Sequence, residues 1–168
     1  MGQSPEEFWG NLVAGKSGIG PMTLCDPTDF PCRIAGEVSD FDPSQYMNPK
    51  EARRMARFSQ LTVAATGLAL EDSGLDLSKE DPERLGIVIG NGAGGLPTTE
   101  DNARLLVARG GMKMSPFFIS MILPNMASAN VSRVYGLKGY TSTIITACAA
   151  GSQAIGEGAV AIQRGVAD

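Results

Sequence analysis

The sequence contains no histidine, so neither a Ser-His nor a Cys-His catalytic pair can be completed within these 168 residues. Charge is sparse as well. Only 19% of residues are charged, and 14 basic against 18 acidic side chains leave a net charge of -4, with no dense basic run to track a phosphate backbone. The composition argues against nucleic acid as a partner. No apolar run approaches the ~20 residues needed to cross a bilayer, and MGQSPEEFWG lacks the basic and apolar regions of a secretion signal. The expectation is a soluble, cytoplasmic protein with no membrane partner. Met1-Gly2 opens like a myristoylation site, but Glu6 stands where Ser or Thr is required. Asn130-Val131-Ser132 is a sequon without a secretory context. Cysteine is scarce: three residues, an odd count without CxxC spacing, fit reduced thiols better than disulfides or a zinc site. No metal and no cofactor is expected.

What is present is apolar residue and glycine. A hydrophobic content of 43% over this length supports a buried core, read as one domain over residues 1–168. Glycine is the compositional anomaly, 21 residues where about 7% is usual. The glycines are scattered among apolar runs without a repeat, which points to tight turns and close backbone packing in an α/β protein.

Along the chain, Pro5 to Val13 reads as a short helix with Ser4 as N-cap and Gly15 beyond its end. The proline-dense stretch from Ser17 to Pro49 is expected to be irregular. From Pro49 to Asp72, Met55, Phe58, Leu61, Ala65, Leu68 and Ala69 recur at helical steps and predict one amphipathic helix, stopped by Gly74. Leu85 to Ile89 predicts a strand buried on both faces, hence a parallel sheet. A helix is expected to start at Thr98 or Thr99 and to end at Gly110-Gly111. The apolar segment Pro116 to Tyr135 should be divided by Pro124. Thr141 to Ala147 is β-branched and predicts a strand, followed by a helix from Ala149 to Arg164 with Gly165 as its stop.

Cys148 falls at the corner between that strand and that helix. A sharp bend there exposes a side chain to helix-terminal N–H groups, which favour a thiolate and can stabilise an oxyanion. The residues alone leave open that Cys148 is one more small buried side chain. Gly151, Gly156 and Gly158 each cost up to about 1 kcal/mol in a helix, which predicts a close backbone neighbour there.

The motif Thr146-Ala147-Cys148-Ala149-Ala150-Gly151-Ser152-Gln153-Ala154-Ile155-Gly156 resembles the active-site motif of the elongating β-ketoacyl-acyl-carrier-protein synthases, the type II enzymes of bacterial fatty acid synthesis. Phe8-Trp9 with Leu12, Gly15-Lys16-Ser17-Gly18-Ile19, Arg53-Arg54-Met55 with Arg57-Phe58, and Ser115-Pro116-Phe117-Phe118 follow the same family in order. The resemblance spans nearly the whole chain and is closer than to thiolases or initiating synthases. It implies that Cys148 accepts an acyl group from an acyl-carrier protein or coenzyme A. The acyl group then passes to the carbanion left when malonyl-carrier protein loses carbon dioxide. The Cys148 N–H would be one oxyanion donor, and the working enzyme a homodimer.

Gly90-Asn91-Gly92-Ala93-Gly94-Gly95 also satisfies GxGxxG, but Leu96-Pro97 intervenes before a helix and no second strand with an acidic end follows. The resemblance places this loop at an acyl channel instead. Ala93, where the family often has a branched residue, implies a roomier pocket, and Phe118 and Ile119 match a segment that reaches a neighbouring subunit's pocket. The residues alone leave Phe117, Phe118, Ile119 and Ile122 equally readable as core.

The resemblance implies a thiolase-like αβαβα α/β fold, of which this chain is the amino-terminal half without its opening strand. It implies too that two decarboxylating histidines and a lysine lie outside the chain. A fragment inactive by itself, with unpaired edges and exposed apolar faces, is the expectation. The rival readings are a nicotinamide-binding oxidoreductase built on Gly90 to Gly95, and a non-catalytic interaction module derived from a synthase.

Overall fold

The computed structural model describes residues 2–168; Met1, and with it the Met1-Gly2 reading, lies outside them. Two compact units divide between Asp42 and Pro43.

In the first unit, helix α1 (Pro5–Val13) starts as its sequence predicts. Ser4 is extended, its hydroxyl accepts the Glu7 N–H at 3.2 Å, and Glu6 and Glu7 put negative charge in the first turn. Beyond Gly15 the chain is irregular except for a two-residue antiparallel pairing of β1 (Gly20–Pro21) with β2 (Ile34–Ala35). The Glu37 carboxylate fastens this segment. It accepts from the Thr23 hydroxyl and from the Thr23 and Leu24 N–H groups, and those bonds, the hydroxyl's foremost, hold its pKa below the ordinary carboxylate value.

The second unit is built on two parallel strands, β3 (Ile87–Gly90) and β4 (Thr141–Ile144), with Ile87 opposite Thr141 and Gly90 opposite Ile144. Alternation along β3 assigns its faces. Ile87 and Ile89 join a core of Met55, Val63, Val131 and Leu137, whereas Val88 lies with Ala154, Gly158 and Ala161. Helices α3 (Arg57–Ser73) and α6 (Met126–Tyr135) supply the first face, and α7 (Ala150–Gln163) covers the second. Helices on both faces are what a parallel pair requires. Between α3 and α6, the Tyr135 hydroxyl donates to the Val63 carbonyl at 2.9 Å. Burial raises the pKa of that hydroxyl, so it stays a donor. A Cβ at Gly67 would stand 2.5 Å from the Tyr135 hydroxyl oxygen, so a larger residue there would push that side chain off its bond.

Several elements differ from the sequence reading. The predicted helix from Pro49 to Asp72 is two helices, α2 (Pro49–Ala52) and α3, separated by Arg53–Ala56. Met55 and Ala56 are buried at that break, and the Gln60 amide donates to the Ala52 and Met55 carbonyls that an unbroken helix would have satisfied itself. Helix α4 (Leu96–Arg109) starts two residues before Thr98, because Pro97 fits a first turn where no N–H is needed. Pro124 does divide its segment, into α5 (Phe118–Ile122) and α6. Gly74, Gly110 and Gly165 all follow helix ends at positive φ.

Candidate active site

Strand β4 ends at Ile144 and α7 begins at Ala150; Cys148 lies between them, in a single 3-10 turn over Ala147–Ala149, with its thiol exposed. The sulfur is therefore presented at a strand-to-helix bend and is neither core nor mid-helix. Ala147 has φ +49°, the single positive value on a non-glycine residue among the described residues. Left-handed backbone costs such a residue roughly 1–2 kcal/mol, so the bend must be held from both sides. The Ala149 N–H donates to the Thr146 carbonyl at 3.0 Å, and the Ala150 N–H donates to the Ala147 carbonyl. The Thr146 hydroxyl donates to the Gln153 Oε1 at 3.0 Å, tying the strand end to the first turn of α7. The Cys148 N–H has no acceptor among the described residues.

The glycine loop meets this bend directly. A Cβ on Gly90 would stand 2.4 Å from the Ala150 carbonyl carbon and oxygen, so only glycine lets the end of β3 touch the start of α7. Next to it, Asn91 is buried and makes three bonds. Its N–H donates to the Ile144 carbonyl at 2.9 Å, its Nδ2 donates to the Pro124 carbonyl at 3.0 Å, and its Oδ1 accepts the Gly94 N–H at 3.1 Å. Gly94 and Gly95 pack against the backbone of Ile122, and the Gly95 N–H donates to the Ile122 carbonyl.

Ala93 is exposed on that loop, Phe118 is half-buried and Ile119 is exposed. The loop carrying Ala93 is thus brought to the carboxyl end of α5, which carries Phe118 and Ile119. None of these three, nor Cys148, lines the cavity of about 380 Å³ on the α7 face of the sheet, whose walls are Val88, Ala154, Ile155, Gly158 and Ile162. Arg54 stacks over the Phe117 ring at 4.8 Å, so two of the sequence motifs, separate in the chain, meet in space.

The close neighbour expected at Gly151, Gly156 and Gly158 is not found: a Cβ at any of the three would meet nothing within 4 Å. The tight contact is made from the other side, by Gly90 on the backbone of Ala150 and Gly151. A pyrophosphate reading of the loop also fails on chemistry. The Gly94 and Gly95 N–H groups that would cradle phosphate are already donated within the protein.

Three supports of the bend escaped the sequence. Asn91 had a partial signal, since Asn among glycines commonly bonds backbone a few residues on. Gln153 and the strained Ala147 had none, because both depend on the angle of the bend.

The chain matches, over residues 1–168, the family described as Beta-ketoacyl synthase, N-terminal domain. It is 41% identical over 167 residues to 3-oxoacyl-[acyl-carrier-protein] synthase 2 of Synechocystis sp., covering 99% of this chain and 40% of that one. Against the protein of the same description from Vibrio cholerae it is 43% identical over 168 residues, covering 100% and 41%. Among solved structures, the ishigamide ketosynthase/chain length factor superposes with a TM-score of 0.88 at 30% identity, over 99% of this chain and 42% of that one. A type II PKS acyl-carrier protein in complex with its ketosynthase gives 0.73 at 38% identity, over 77% and 38%. The chain belongs to the β-ketoacyl synthase family, with the thiolase-like fold of its amino-terminal half. It spans about 40% of the length of the curated relatives it matches, synthases of the 3-oxoacyl-[acyl-carrier-protein] type.

Proposed function

We propose that this chain carries the acyl-accepting part of a condensing acyltransferase of fatty acid elongation, with Cys148 as the covalent nucleophile. The observation that supports it most is an exposed thiol on a strained strand-to-helix bend, beside an N–H that lacks an internal acceptor. Attack on an acyl thioester forms the bond from Sγ to the acyl carbon and breaks the bond to the carrier's sulfur, which leaves as a thiol. The Cys148 N–H supports the oxyanion formed on the way.

The acyl donor in this reading is an acyl-carrier protein, as in the carrier–ketosynthase complex among the structural neighbours. Decarboxylation of the malonyl partner needs groups that a chain with zero histidines does not carry, so the chain alone accepts an acyl group without completing condensation. Ala93, Phe118 and Ile119 are assigned to the acyl pocket, which a second copy of the protein completes in a cytoplasmic homodimer.

Peptide mass spectrometry after incubation with acyl-carrier protein bearing an acyl group tests this. The expected result is one acyl adduct on Cys148, absent in Cys148→Ala. An adduct confined to Cys25 or Cys32, or none at all, refutes the reading.

A further inference from the structure

We propose that Asn91 is a positioning residue that locks the acyl-pocket loop to the nucleophile's strand; this deepens, and rests on, the Cys148 reading above. The bonds of Asn91 run to each part of the site. Its backbone holds the last residue of β4, through Ile144. Its Oδ1 closes the turn from Asn91 to Gly94 that carries Ala93. Its Nδ2 ties both to Pro124, just beyond the helix that bears Phe118 and Ile119. A side chain buried in this way cannot trade those partners for water, so losing them frees the turn. Gly92 and Ala93 are themselves exposed, and a Cβ at Gly92 would meet nothing within 4 Å among the described residues. Backbone bonds hold the two ends of the loop, at Ile144 and Ile122, and the Asn91 carboxamide holds the turn between them.

The two side-chain bonds can be separated. Asn91→Ala removes both; Asn91→Asp keeps an acceptor for the Gly94 N–H and loses the donor to Pro124. The experiment alkylates the 168-residue chain with iodoacetamide and with N-dodecyl iodoacetamide and reads modification of each cysteine by mass spectrometry. In each case Sγ bonds to the methylene carbon, iodide leaves and the thiol proton passes to buffer. The short reagent reports the thiol, and the ratio of long to short rates reports the surface that the Ala93 turn offers a long chain beside it.

Asn91→Ala is expected to change that ratio at least about threefold while the iodoacetamide rate stays within about twofold, and Asn91→Asp to restore it in part, because the Gly94 bond is kept and the Pro124 bond is lost. An unchanged ratio in Asn91→Ala, or an equal change in both variants, overturns the role. Hydrogen exchange on the unsubstituted chain covers the case in which Asn91→Ala does not fold. The Gly94 amide should exchange at least about tenfold more slowly than the Gly92 amide, and equal rates also overturn it. No preference for Cys148 over Cys25 and Cys32 in the unsubstituted chain overturns the thiol reading and this proposal with it. Preserved preference with an unchanged ratio removes only Asn91.

Discussion

At the scale of single residues, the bend around Cys148 is fixed by what its neighbours lack. Gly90 has no Cβ because the Ala150 carbonyl occupies that space. Gly90→Ala is expected to destabilise the chain by about 2–3 kcal/mol and to slow Cys148 alkylation, since backbone on both sides must move. Thermal melts and thiol labelling check both effects, and an unshifted melting temperature would contradict the close packing. Ser59 presents the opposite case: it is fully buried and its hydroxyl has no partner among the described residues. Removing an unpaired buried hydroxyl relieves a desolvation cost of about 1–3 kcal/mol, offset in part by the small void left, so Ser59→Ala should raise stability in a urea titration. On the function proposed above, Ala93→Ile in a complete synthase carrying this chain should shift the product profile toward shorter acyl chains. An unaltered profile would remove Ala93 from the pocket.

At the scale of elements, α3 and α6 are keyed by one hydroxyl. Tyr135→Phe loses a bond to the Val63 carbonyl worth about 1 kcal/mol. Gly67→Ala alone should cost more, because its Cβ meets the Tyr135 hydroxyl oxygen and displaces it. In the double variant part of the clash is gone, so the two costs should sum to less than additive in a double-mutant cycle, and strict additivity would contradict the contact. Elements of this kind were well legible in the sequence. Caps and stops at Ser4, Gly74, Gly110 and Gly165 were readable because they act over a few residues, and Cys148 was readable because β-branched and small residues change over at its position. The break after Ala52 was not, since the carbonyls it frees are capped by a Gln60 side chain from the next helix. Nor was the origin of the close packing at α7. Its glycines drew attention, but the contact depends on Gly90, distant in sequence and adjacent only through the pairing of β3 with β4.

At the scale of the whole molecule, large apolar side chains remain uncovered. Ile155 and Ile162 on α7, and Val107 and Met112 near the end of α4, are exposed, Ile155 at 77% and Met112 at 97%. The isolated chain should therefore self-associate and bind a hydrophobic dye, which light scattering and dye fluorescence would register. Its acid response has a defined sign. Arg84 bonds the Asp168 carboxylate and holds its pKa below the ordinary 3.8. The Thr28 hydroxyl does the same for Asp26, and the Ser78 hydroxyl for Asp76. Groups of this kind add stability at pH values above their ordinary pKa and lose it as pH falls through the depressed one. The melting temperature should fall below about pH 4, and because these groups are exposed the fall should be modest and weaker in high salt.

Parallel pairing of β3 with β4 carries a consequence for biosynthesis. The backbone that buttresses the thiol comes from Gly90, while the turn it supports is translated only after three further helices, α4, α5 and α6, have emerged. Until that long crossover closes, the nascent polypeptide holds an ordinary cysteine with an unstrained neighbour. The strained bend that exposes the thiol is thus a late property, acquired on folding and forfeited with the first opening of the strand pair.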